Sequence, residues 1–326
     1  MNDKISQSFS KSNVLVTGGT GLIGRQVVDL LDKCDANVRI VSLDHIKVNE
    51  KAEHIYGDLT EYSFCREITK DMDYVFHIAG IGASVETSKT KLASHFVPML
   101  MMNTNVIEAC RINKVRKAVF TGSVGAYAEA EIFRESEFRL DSIPMDFAGW
   151  AKRMAEIQIH TYKVQYGLDN FAIVRPSNVY GPGDNFDPGN SLVIPSLMNR
   201  ISSGENPLRI WGDGNAVRDF VYSRDVALGV IQALYYGTGA GFVNLGSGIA
   251  CSIAKLVETM SSFIKFDYLF DKSKPSGSSK RIMDISLARK LIHYNPTTSL
   301  HEGLIKTWEW FLEHPCEYLE KKNYFK

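Results

Sequence analysis

Three glycines and an aspartate near the start of the chain have the types and spacing to hold a phosphorylated nucleotide. Gly18, Gly21 and Gly24 form the pattern G-x-x-G-x-x-G, with Leu22 and Ile23 between the last two. Glycines let a backbone turn tightly, approach a pyrophosphate and pack a helix against a strand. The helix that follows points unpaired amides and the positive end of its dipole at phosphate oxygens. Asp44 lies 20 residues beyond Gly24. A carboxylate there accepts hydrogen bonds from the adenosine ribose hydroxyls and repels a 2′-phosphate, which favours NAD over NADP. The competing reading of Asp44 is a loop cap. A phosphate loop of the nucleotide-hydrolase kind is excluded, because Arg25-Gln26 follows Gly24 where a Lys-Ser/Thr pair would be needed.

Two more side chains stand where alcohol oxidation could use them. That chemistry needs a base for the hydroxyl proton and a donor to hold the oxygen. Ser123 follows a strand-like run, so its hydroxyl can face a cofactor. Lys152 opens a helical stretch; its ammonium could bind a ribose and lower the pKa of a neighbouring acid. Taken singly, each has an ordinary alternative, since serines cap strands and lysines sit in water.

The elements that must position these residues alternate in type. Residues 13–16 read as a short buried strand, and from Leu22 the apolar period lengthens to that of a helix. Strand-like runs recur at 38–43, 54–56, 74–79, 117–121 and 171–174, with helical stretches around 99–113 and 150–165. Strands alternating with helices predict a parallel sheet with right-handed crossovers, whose ligands bind beyond the strand carboxyl ends. The residues just after those ends are Asp58 and Leu59; Ala79, Gly80 and Gly82; Ser123; and Asn178. Asp58 reads equally as a partner for an adenine amino group and as a turn acid. Ala79 and Gly80 are small enough for a cofactor to lie close to the backbone.

After Asn178 the pattern changes. Residues 180–190 are dense in turn formers, 191–201 read as a helix and 211–214 as a turn, with 217–221 (VRDFV) beyond it. A short strand at 242–245, a helix near 252–264, a polar loop at 271–279 and amphipathic helices ending near Leu312 complete the chain. The expected class is α/β, a Rossmann-like doubly wound parallel sheet with a smaller α/β substrate-binding lobe. Its boundaries are 11–177 for the NAD-binding domain, with 218–245 returning to it, and 178–217 plus 246–326 for the second lobe.

Composition bounds the partners. With 37 basic and 37 acidic residues in 326, net charge is zero, and no attraction to nucleic acid or membrane is implied. The polar start lacks the apolar core of a signal peptide, and no run approaches the roughly 20 apolar residues of a membrane span. Five scattered cysteines suit reduced thiols, hence a cytoplasmic setting, and eight histidines show no metal-ligand spacing.

These strings together resemble the extended short-chain dehydrogenase/reductase family of nucleotide-sugar enzymes over nearly the whole chain. The resemblance rests on residues 17–24 (TGGTGLIG), 57–60 (GDLT), 76–79 (FHIA), 175–182 (RPSNVYGP) and 218–221 (RDFV). Residues 184–188 (DNFDP), 190–195 (NSLVIP) and 274–277 (KPSG) look most like the GDP-L-fucose synthase branch. The resemblance implies a site of Ser/Thr followed by Tyr-x-x-x-Lys. Ser123 and Lys152 match it, but the tyrosine position holds Ala148. A methyl group cannot relay the alcohol proton, so either a change has disabled this site or another group accepts the proton. Gly125 and Leu192 stand where the fucose synthases carry cysteine and histidine, and Val124-Gly125 replaces the Asp-Glu pair of the 4,6-dehydratases. What the resemblance leaves is hydride transfer at C4 of a nucleotide-linked sugar, GDP-linked by preference, by a dehydrogenase or 4-epimerase; the alternative is a silent nucleotide-sugar or NAD-binding protein. It implies substrate contacts at Ser123, Asn178, Asn190, Val193, Leu197, Arg200, Trp211, Arg218 and Lys274. It also implies cofactor contacts at the glycine turn, Asp44, Asp58, Leu59, Ala79, Gly80 and Lys152, and a homodimer formed through the two long helices.

Overall fold

In the computed structural model, residues 2–326 are described except 83, 240, 275, 323, 324 and 326; Pro275, part of one resemblance string, therefore lies outside the described residues. The main sheet has seven parallel strands: β1 (Asn13–Thr17), β2 (Asn37–Ser42), β3 (Glu53–Tyr56), β4 (Tyr74–His77), β5 (Lys117–Thr121), β7 (Phe171–Pro176) and β12 (Phe242–Leu245). Their order is β12-β7-β5-β4-β1-β2-β3, so the winding direction reverses between β1 and β4. That reversal opens a crevice beyond the strand carboxyl ends. Helices α2 (Gly24–Asp32), α8 (Ser223–Tyr236) and α10 (Ser286–Ile292) pack in one layer; α3 (Tyr62–Ile68), α5 (Leu92–Ile112) and α6 (Phe147–Tyr166) pack in the other. The strands read as apolar runs because both sheet faces are covered: Val14, Leu15, Val16, Val75 and Phe76 are fully buried.

The first helix, α1 (Asp3–Phe9), lies in the segment read as merely polar. Asn2 caps it through the Ile5 N–H at 3.1 Å, and Ile5 and Phe9, one turn apart, bury their side chains in the main core.

The second lobe is built from small sheets and helices. β6 (Ile132–Phe133), β10 (Val217–Arg218), β13 (Cys251–Ser252) and β15 (Lys280–Met283) form one sheet; β8 (Asn178–Tyr180) pairs β11 (Phe220–Tyr222), and β9 (Leu208–Trp211) pairs β14 (Tyr268–Asp271). α7 (Val193–Ser202), α9 (Ile253–Ser261) and α11 (Leu300–Glu313) enclose a second core with Phe186, Met198, Leu256 and Phe311. Two short helices complete the chain, α4 (Val85–Thr90) and α12 (Glu317–Glu320). The run at 217–221 is divided between two sheets at Asp219. Its buried carboxylate accepts from the N–H groups of Ser247, Gly248 and Met283 at 2.8, 3.1 and 3.2 Å and from the Ser247 hydroxyl at 2.6 Å. Satisfying a buried charge outweighs continuing one strand. β12 and α8 return to the main sheet; Met283, Ile285, Ala288, Ile292 and Tyr294, expected with the second lobe, pack there as well.

Candidate active site

The glycine turn is held by contacts that a side chain would destroy. Gly18 has φ +69°, and a Cβ on it would stand 2.7 Å from the Ala79 Cα; one on Gly24 would stand 2.1 Å from the Gly18 carbonyl oxygen. The turn thus closes on itself and on the end of β4. Gly18, Gly21, Leu22, Ile23, Gly24, Asp44, Leu59, Ala79 and Gly80 all line one cleft of about 430 Å³ at the β1/β4 reversal. Asp58 does not line it; its Oδ1 accepts from the Thr60 N–H at 2.9 Å, the turn-acid arrangement. Asp44 accepts from the Thr20 hydroxyl at 3.1 Å.

Ser123 follows β5, and the chain then makes one 3₁₀ turn, Val124–Ala126. That turn is clamped onto the start of α6. Gly149 approaches so closely that a Cβ on it would lie 1.9 Å from the Gly125 carbonyl oxygen, and the Met145 N–H donates to the same oxygen at 3.0 Å. Asp146 caps α6 by accepting from the Gly149 N–H at 2.6 Å. Lys152, on the second turn, is driven inward. The residue is 5% exposed; its ammonium donates to the Thr121 carbonyl at 2.7 Å and lies 4.9 Å from the Phe120 ring centroid. It is also 3.7 Å from where a Gly80 Cβ would be, which sets it beside the end of β4. Burial lowers its pKa to about 8, against the opposing pull of Glu156. An ammonium has three donors, and among the described residues only one is used. This buried cation with spare donors beside a glycine-walled cleft fits a dinucleotide whose ribose hydroxyls could take them. Ala148, one turn before Lys152, is partly buried against the main core.

The residues expected to hold substrate fall into three groups. Asn190 lines the same cleft, but its amide is engaged, accepting from the Ser84 N–H at 2.7 Å and donating to the Gly82 carbonyl at 3.0 Å. Asn178 likewise donates to the Asp219 carbonyl at 3.1 Å. Leu197 is a second-core residue, 3% exposed, with Val193 packed against the same core. Arg200 forms a two-pronged pair with Glu205 at 2.7 and 2.6 Å and also donates to the Arg209 carbonyl, so its fork is occupied. Trp211, Lys274 and Arg218 form the open group. Trp211 is 61% exposed with the Lys274 ammonium 5.8 Å from its ring centroid, and Arg218 donates to the Val217 and Ser278 carbonyls at 2.8 Å.

Several cleft residues carried no local signal. Tyr318, Lys321, Lys322 and Phe325 come from the far end of the chain, and Asp184 comes from the turn-rich loop. The Lys321 ammonium donates to the Gly183 carbonyl at 2.6 Å. Burial raises the Asp184 carboxyl to about 7 although Lys321 pulls the other way, and its Oδ2 has no hydrogen-bond partner among the described residues. Among those residues no three His, Cys, Asp or Glu side chains gather as a metal site, and no helix is long and apolar enough to cross a membrane.

A doubly wound sheet with a glycine turn and an acidic residue after its second strand defines a Rossmann-like dinucleotide-binding protein. The chain belongs to the NAD dependent epimerase/dehydratase family, which matches residues 14–246. It is 30% identical over 317 residues to a probable GDP-L-fucose synthase 1 of Oryza sativa subsp. japonica, covering 92% of each chain. A putative UDP-glucose 4-epimerase of Methanocaldococcus jannaschii is 31% identical over 308 residues, covering 91% of this chain and 97% of that one. Among solved structures, the UDP-glucose 4-epimerase of Thermotoga maritima with UDP-glucose superposes with a TM-score of 0.82 at 27% identity, covering 93% of this chain and 99% of that one.

Proposed function

We propose that this protein carries out NAD-dependent hydride transfer at C4 of a nucleotide-linked sugar, as a 4-epimerase or dehydrogenase. The observation that carries the reading is the buried Lys152 ammonium, with spare donors, beside Gly80 in the wall of the glycine-lined cleft. Bound NAD would supply the hydride acceptor. The glycine turn and Asp44 hold its phosphates and adenosine ribose, Lys152 its second ribose, and Ser123 donates to the sugar oxygen as its carbon becomes a carbonyl. Trp211 offers a face for the nucleotide base, and Lys274 and Arg218 offer charge for its phosphates. GDP is favoured over UDP by likeness to the fucose synthases. The expected partner is a second copy of this chain: Val97 and Met101 on α5 and Phe147 and Met154 on α6 are exposed apolar side chains.

The second reading, a binding protein without turnover, is favoured by one observation, the methyl group of Ala148 where the family places a phenol. The deciding experiment incubates the protein and an Ala148→Tyr version with GDP- and UDP-hexoses, following NADH absorbance and the sugar's C4 configuration by NMR. Restoring a general base is expected to raise turnover on the order of 10²–10⁴-fold. Binding of NAD and nucleotide sugar by both versions with no turnover in either selects the binding protein.

A further inference from the structure

The geometry points to Asp146 as the group that takes the sugar hydroxyl proton in place of the phenol that Ala148 lacks. We propose that its carboxylate acts as general base, and then general acid, beside Ser123; this rests on the hydride-transfer reading above.

Gly125 shows the arrangement. A Cβ built on it would lie 3.1 and 3.2 Å from the two carboxylate oxygens of Asp146 and 3.4 Å from the Ser123 hydroxyl oxygen. The acid and the alcohol thus both border the position that a side chain on residue 125 would take. Asp146 Oδ1 is engaged, capping α6 through the Gly149 N–H, whereas Oδ2 has no hydrogen-bond partner among the described residues. Ser123 Oγ accepts from the Gly125 N–H at 3.0 Å, which leaves its own hydrogen free to donate to a sugar oxygen. Ser123 is half-buried, and Asp146 is an exposed residue. Its backbone is fixed by the cap, and Lys152, with its unused donors, stands on the same helix less than two turns further on. A sugar hydroxyl bound to Ser123 therefore meets a carboxylate oxygen free to accept.

The step balances. The carbon–hydrogen bond at C4 breaks as hydride leaves to the nicotinamide cofactor, the hydroxyl oxygen–hydrogen bond breaks as its proton passes to Asp146, and a carbonyl forms. The carboxylic acid so made returns its proton when hydride returns. A carboxylate is a weaker base than a phenolate, so this route is slower than the tyrosine route but separable from it.

The test uses Asp146→Asn and Ala148→Tyr singly and together. Asparagine keeps the helix cap, so the melting temperature of Asp146→Asn should match that of the unaltered chain. Asp146→Asn is expected to lower turnover at least about 100-fold when Ala148 is present and by only a few-fold when tyrosine has taken over the proton. An equal loss in both backgrounds assigns Asp146 a structural role and overturns the proposal. So does activity in the Ala148→Tyr form alone, which leaves the hydride-transfer reading standing. Turnover in neither form with any GDP- or UDP-hexose brings down that reading and this proposal together. A second readout needs no turnover. The ¹³C carboxyl resonance of Asp146, assigned by its loss in Asp146→Asn, should shift when GDP-mannose or UDP-glucose is added, whichever binds by calorimetry. No shift at saturation would show that the carboxylate does not touch substrate.

Discussion

The backbone N–H of Lys322 donates to the Asp44 carboxylate at 2.7 Å across 278 residues of sequence. The carboxylate expected to select the cofactor thus also anchors the C-terminal tail, which Glu317 ties to Arg25 at 2.5 Å. Asp44→Asn should weaken NAD binding about tenfold, roughly 1.4 kcal/mol, the worth of a charge-assisted hydrogen bond. NADP, no longer repelled, should lose less or gain. Calorimetric dissociation constants for both cofactors check this, and equal losses for the two would remove Asp44 from cofactor selection.

Gly24→Ala forces a carbon to within 2.1 Å of the Gly18 carbonyl oxygen, so the turn must open. The expected cost is about 1–3 kcal/mol of stability, as for overpacking elsewhere. NAD binding should be lost along with the turn's geometry. Urea denaturation and NAD titration of the variant measure the two effects separately.

His77 makes stability depend on acid. The residue is 2% exposed, with Nδ1 2.8 Å from the Thr17 hydroxyl and Nε2 3.0 Å from the Asn103 side-chain amide oxygen. Because that oxygen only accepts, Nε2 carries the hydrogen and Nδ1 accepts from Thr17. Burial, and next the Lys152 ammonium, lower the pKa to about 3 from 6.5. Between those values the unfolded chain binds a proton that the folded chain does not, so stability falls as pH drops through the window. Asp184 acts in the opposite sense. Its raised carboxyl makes the folded state hold a proton that the unfolded state releases, and stability falls as pH rises from 3.8 to about 7. His77→Gln removes the first effect alone. The stability difference between about pH 7 and pH 5 should move by about 2 kcal/mol in favour of pH 5 relative to the unaltered chain, read by urea midpoints at each pH.

Trp211 lies open with Lys274 over its ring, and stacking of a base on an aromatic ring is worth about 1–3 kcal/mol. Trp211→Ala should raise the dissociation constant for the nucleotide sugar about tenfold or more while leaving that for NAD unchanged. An unchanged sugar-nucleotide affinity would place the base elsewhere.

Where the physics is local, the sequence is sufficient. β1, the glycine turn, α2 and β2 form one continuous run whose apolar period shifts from strand to helix at the glycines, and β5 falls at the residues its β-branched run marks. Even α1 had a local mark, in Asn2 capping and the Ile5/Phe9 spacing. Arg200 and Leu197 show the limit. A guanidinium in sequence looks free for phosphate, and only folding shows Glu205 occupying it; a leucine on an amphipathic helix does not say whether it faces ligand or core.

The tertiary structure alone decided the relations between distant residues. It seated the tail on Asp44, split 217–221 at a carboxylate that four donors from two other segments satisfy, and brought Asp146 and Ser123 together at Gly125. Composition and periodicity encode which face of an element is apolar. Which polar group meets which depends on how two glycines let a turn and a helix start touch, and that contact exists only once both have folded.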